Sequence, residues 1–147
     1  MSHVRTAIRD LIHTRLDGET SAGASVFKNR VKPVAKSDLP AISITSGDER
    51  VERIAQGKPA RLGRIMQVHC DLIADADADG AADDLDALAA EIETLLAPGS
   101  WATNIFDITP VAITEIYDGN GDRVVGQSRL TFEVEYHTGE GAPGTAL

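Results

Sequence analysis

Arg64-Ile-Met-Gln-Val-His-Cys-Asp-Leu-Ile-Ala74 is the stretch that decides the fold. Met66, Val68, Cys70 and Leu72 alternate with Ile65, Gln67, His69, Asp71 and Ile73. Successive side chains of a strand point to opposite faces, so a strand with one fully apolar face is expected here. C-terminal to it, Leu85, Leu88, Ala89, Ile92, Leu95 and Leu96 recur at helical spacing, with helix-start chemistry over Gly80–Asp84 and a stop at Pro98-Gly99. Arg129 to His137 alternates strictly, with Leu130, Phe132, Val134 and Tyr136 inward and Thr131, Glu133, Glu135 and His137 outward. A second extended run, Ile105 to Tyr117, precedes it across the turn residues Asp118-Gly119-Asn120-Gly121-Asp122, so the pair reads as an antiparallel hairpin.

N-terminal to the deciding stretch, Ala41 to Thr45 is a short β-rich run behind Pro40, and Val26 to Val31 alternates. Val4, Ile8, Leu11, Ile12 and Leu16 mark an opening helix, with Ser2 as the expected N-cap and Asp17-Gly18 as its end. The order is α-β-β-β-α-β-β. Each helix has one apolar stripe and each strand one apolar face. The expected fold is therefore α/β of the α+β kind: a single domain, with one twisted mixed or antiparallel sheet of four to five strands and both helices on one face. The other face, with Lys28, Arg30, His69, Asp71, Glu133 and Glu135, stays polar and is available to a partner.

Two segments resist this reading. Residues 46–63 show no period, contain Gly47, Gly57, Pro59 and Gly63, and carry seven charged residues between Asp48 and Arg61. They read as a long flexible loop, a feature that tends to be functional. Residues 138–147 read as a disordered tail, leaving 1–137 as the domain.

The length, 147 residues, suits one domain, and 42% hydrophobic with 25% charged residues excludes wholesale disorder. No apolar run reaches the roughly 18–20 residues of a membrane span. Met1-Ser2-His3-Val4-Arg5 lacks the apolar region of a secretory signal, so the chain is read as cytosolic when made. A net charge of −9 disfavours a free-standing nucleic-acid binder. The distribution is uneven: residues 1–64 carry a net +5 and residues 65–147 a net −14. Unlike flanks on one chain suit head-to-tail self-association into a ring, and a solvated mixed surface accounts for them equally well.

Candidate chemistry is sparse. Asp75, Asp77, Asp79, Asp83 and Asp86, with Gly80 at the sixth place, follow the ligand spacing of a calcium-binding EF-hand loop, and Mg²⁺ or Ca²⁺ is the ion such a set would take. Ala82 and the short Asp86 depart from that pattern. An acidic strand-to-helix connection, which complements the helix dipole, accounts for the same residues. Asp118, Asn120 and Asp122 read as turn chemistry. Cys70 falls on a core face, where a thiol is inert. His69 and His137, with Asp71, read as solvated surface groups rather than a metal pair. Trp101 reads as a core anchor or interface residue. There is no nucleophile motif and no phosphate-cradling glycine loop. No catalytic residue and no required cofactor are expected, and the chain does not read as an enzyme.

Taken in order, several pieces resemble the phage tail terminators, the minor tail protein U family of lambda-like siphophages. They are the opening helix Val4–Leu16, Ala24-Ser-Val-Phe27-Lys-Asn-Arg30, Asp38-Leu39-Pro40-Ala41-Ile42 and Gly47-Asp48-Glu49. After these come Gln67-Val-His-Cys-Asp-Leu72, Leu85-Asp-Ala-Leu88 and the closing Leu130-Thr-Phe-Glu-Val-Glu-Tyr136. The resemblance implies a virion tail protein, made in the host cytoplasm, that forms a homo-oligomeric ring, a hexamer in that family. Such a ring caps the tail tube protein, ends tube polymerisation and presents a joining surface to the head–tail connector, and DNA passes through it without specific binding. No membrane is involved. Lys28, Arg30, Arg50, Arg53, Lys58 and Arg61 are the expected subunit or tube contacts. The near alternatives are another small tail-completion or neck protein, and a divalent-metal module centred on Asp75–Asp86.

Overall fold

The computed structural model describes residues 2–28, 39–75, 81–97, 107–118 and 125–147. Its elements run α1 (Val4–Leu16), β1 (Val26–Lys28), β2 (Ala41–Ala55), β3 (Arg61–Asp75), α2 (Ala81–Leu95), β4 (Asp107–Asp118), β5 (Val125–Gly139) and β6 (Ala142–Ala146). The sheet order is β1-β2-β3-β5-β4, with β6 paired to the end of β5. β1 lies parallel to β2, and every other pairing is antiparallel. The α+β single-domain fold expected from the sequence is the one observed, with six strands instead of four to five.

One apolar core joins the helices to a single sheet face. Val4, Ile8, Ile12 and Leu16 of α1 meet Ile42 and Ile44 of β2, Met66 to Leu72 of β3 and Leu130 to Tyr136 of β5. Leu85, Leu88, Ala89 and Ile92 of α2, with Leu96 just beyond it, complete that core. The alternating residues of β3 and β5 that were assigned inward are all buried. The N-cap of α1 is His3, not Ser2: its Nδ1 accepts from the Arg5 amide at 3.1 Å. The helix ends on Asp17, and Gly18 takes the left-handed φ of 75° that glycine adopts without strain.

Residues 46–63 are not a loop. β2 continues to Ala55 and β3 begins at Arg61, leaving a five-residue turn between them. The alternation is hidden by a bulge between Ser46 and Glu49, where β2 has one residue more than β3. Before it, even-numbered residues (Ile42, Ile44) lie on the sheet face that the helices cover; after it, odd-numbered ones (Glu49, Val51, Arg53) continue that face, with Val51 and Arg53 exposed. Gly47 sits at the bulge because a Cβ there would lie 2.7 Å from His69 Nε2. Residues 138–147 are likewise structured. They finish β5, turn at Glu140-Gly141 and return as β6, held by Glu140 N to Ala60 O at 2.8 Å and Leu147 N to His137 O at 3.0 Å. Glycines and one proline suppress a strand signal that β5 supplies by pairing.

Candidate assembly surface

Burial divides β2 sharply: Ala41 to Ile44 are buried, and Arg50 to Ala55 are all exposed. Beyond Glu49 and Arg64 the two strands therefore form an arm that leaves the helix-covered body. A polar cluster sits where they part. Glu49 Oε2 accepts from Arg64 Nη1 at 3.0 Å, and Glu49 Oε1 accepts from the Tyr136 hydroxyl at 2.5 Å. Arg64 Nε donates to Thr138 Oγ1 at 2.9 Å, and Arg5 Nη2 of α1 donates to the Gly47 carbonyl at 3.0 Å. Arg5 Nε, 3.9 Å from Glu49 Oε1, is buried without a hydrogen bond of its own. Burial and the bond to Glu49 hold the Tyr136 phenol well above its ordinary pKa. Burial and the nearby Arg64 guanidinium lower the His3 pKa, which suits a ring nitrogen that must accept the cap bond.

The cluster was not legible in the sequence, because Glu49 lies two residues past Gly47 in a stretch without period. One signal was present: Tyr136 is the last inward residue of the β5 alternation, so its hydroxyl marks where the apolar row must find a polar partner.

Of the expected contacts, the structure gathers Arg50, Arg53, Lys58 and Arg61 on the arm. Arg50 lies 3.4 Å from Glu52, Arg53 3.2 Å from Glu140 and Arg61 Nη2 3.2 Å from His137 Nδ1, all exposed. Lys28 is not with them. It pairs with Asp10 at 2.6 Å and sits in register with Ile44, about 20 Å along β2 from Arg50. Arg30 lies outside the described residues.

The open sheet face is more interlocked than expected. Arg129 grips Asp71 through two bonds, at 2.7 and 3.2 Å, and His69 Nδ1 bonds Thr131 Oγ1 at 3.0 Å. Burial, then Arg129, lowers the His69 pKa. His69 pairs with Thr131 and His137 with Gly63, six residue pairs apart along the sheet, or about 20 Å, so the two rings share no site. Glu133 and Glu135 remain exposed there. Cys70 is fully buried, and its thiol is pushed up to about 12 by burial.

Of the five metal-ligand candidates, Asp77 and Asp79 lie outside the described residues. Asp75 ends β3, and Asp83 and Asp86 are exposed at the start of α2. Among the described residues no group of three or more His, Cys, Asp or Glu side chains is gathered for a metal ion. The turn residues 119–122 and Trp101 also lie outside the described residues. Among those described, no helix is long and apolar enough to cross a membrane.

No family model and no curated protein matches the chain. Solved structures do, 32 chains in all. One of them, from the virion of a native gene transfer agent particle, superposes with a TM-score of 0.62 at 16% identity, over 92% of this chain and 98% of that one. The two chains share a fold across nearly their whole lengths.

Proposed function

We propose that the protein is a structural component of a phage-like virion, and within that class a tail terminator. It would form a ring on the end of the tail tube, stop tube growth and offer its other side for head joining. The observation that carries the virion assignment is the fold shared end to end with a chain of the gene transfer agent virion. The finer assignment rests on the sequence resemblance and on the surface described above. A terminator needs no bond chemistry; it needs two unlike faces. The +5 and −14 balances of residues 1–64 and 65–147 give the two halves of the chain unlike charge, and the arm supplies a protrusion that a ring neighbour or the tube can engage.

The DNA that passes such a ring meets a subunit of net −9, whose field discourages gripping of phosphates. Neighbouring partners would be the tube protein on one side and a connector protein on the other. Deletion of the gene tests this reading: intact heads with overlong, uncapped tails in electron micrographs are expected. Normal-length tails joined to heads would overturn it.

A further inference from the structure

The arm and the outer face of α2 are complementary in charge and cannot meet within one copy. Between Arg50 and Arg61 the chain carries four cations and one acid, Glu52. Ile54 is 47% exposed on the side of the arm that bears Arg50, where it lies over Gly63. A Cβ on Gly63 would stand 2.9 Å from Ile54 Cγ2, so the glycine is what lets this side chain lie flat across the arm.

α2 holds five acidic residues and no Lys or Arg. Its outward stripe, Asp83, Asp86, Ala87, Ala90 and Thr94, is exposed along its whole length, opposite the buried Leu85, Leu88 and Ile92. Hollows of about 320 and 360 Å³ follow one another along one edge of that stripe, the first bordered by Ser21, Asp84 and Ala87, the second by Glu19, Ala90 and Thr94. β3 runs from the arm at Arg61 to Asp75, just before α2, about 45 Å for a strand of this length. The cationic arm and the acidic start of α2 thus lie at opposite ends of the sheet.

Resting on the ring reading, we infer that the arm of one copy lies across the outer face of α2 of the next. The partner is a second copy of this chain: Arg50, Lys58 and Arg61 face Asp83 and Asp86, and Ile54 packs beside Ala87 and Ala90. Such a contact is heterologous, so it propagates and closes only as a ring. Val51, 44% exposed on the arm's other side, lies outside it.

Two variants of the full chain test the pairing by sedimentation velocity. One carries Arg50→Glu and Lys58→Glu; the other carries Asp83→Lys and Asp86→Lys. All four positions are exposed, so both variants are expected to keep the wild-type circular dichroism spectrum. Each alone should self-associate more weakly than wild type, on the order of tenfold or more. Their equimolar mixture should recover assembly beyond the dimer, since the unchanged arm of one variant meets the unchanged helix face of the other, and the two reversed faces complement each other with the charges exchanged. Val51→Ser should assemble as wild type does. Wild-type assembly by either variant, or a mixture that stays monomeric while wild type assembles, overturns the pairing and leaves the ring reading standing. A wild-type chain that stays monomeric overturns both.

Discussion

The two halves of the long β2–β3–β5 ribbon are built from the same strands and held by different means. In the helix-covered half, Ile44, Cys70 and Leu130 share one register row and are each fully buried. In the far half the equivalent row is Val51, Arg64 and Tyr136, and only Tyr136 of the three is fully enclosed. There the ladder hydrogen bonds persist, and Glu49 gathers Arg64 and Tyr136 where a helix would otherwise supply apolar cover. The difference shows that strand pairing by itself extends a sheet well past its core, leaving side chains on the extension free for other contacts.

Deleting bulk in the covered half should do the most damage. Phe132→Ala removes one of the largest fully buried side chains and should cost about 3–5 kcal/mol, measured by urea denaturation. An effect below about 1 kcal/mol would mean that the helices do not clamp this row.

At the junction, Glu49→Ala leaves Arg64 and the Tyr136 hydroxyl without their shared acceptor and should cost about 3 kcal/mol. Tyr136→Phe, which removes only the hydroxyl, should cost about 1 kcal/mol. Equal losses in the two variants would mean that the Arg64 pair contributes nothing beyond the tyrosine bond.

Acid should weaken the body through its histidines. His69 and His3 both have folded pKa values below the ordinary 6.5, each chiefly because of burial. The unfolded chain then binds protons more readily, so their contribution is fully present above about pH 6.5 and is lost as pH falls through the folded values. His69→Gln should flatten the acid limb of the stability profile just below about pH 6.5. An unchanged slope would locate the effect elsewhere.

On the arm the expected effect is smallest. Arg50→Ala and Arg53→Ala remove exposed ion pairs and should each change monomer stability by less than about 0.5 kcal/mol. A loss above 1 kcal/mol would make the arm part of the stability core.

The same division governs what could be read from the sequence. Where one strand face is buried beneath helices, apolar residues must alternate, and Met66 to Leu72 and Leu130 to Tyr136 announce themselves. Where neither face is covered, no alternation is required, so Arg50 to Ala55 looked like a loop. The bulge at Gly47-Asp48 then switched which residues face inward and hid Glu49. β6 escaped for a related reason: Ala142-Pro-Gly-Thr-Ala146 has little strand propensity and is a strand because β5 offers it an edge. The cations of the expected contact surface were legible as a cluster in the sequence. Their gathering on one projecting hairpin, and the separation of Lys28 from them, needed the register.

The central claim, that this chain works as a ring, is tested most directly by native mass spectrometry across a range of protein and Mg²⁺ concentrations. The account predicts a closed oligomer of one size, six copies by the family resemblance, in exchange with monomer. A strict monomer at every concentration would contradict it.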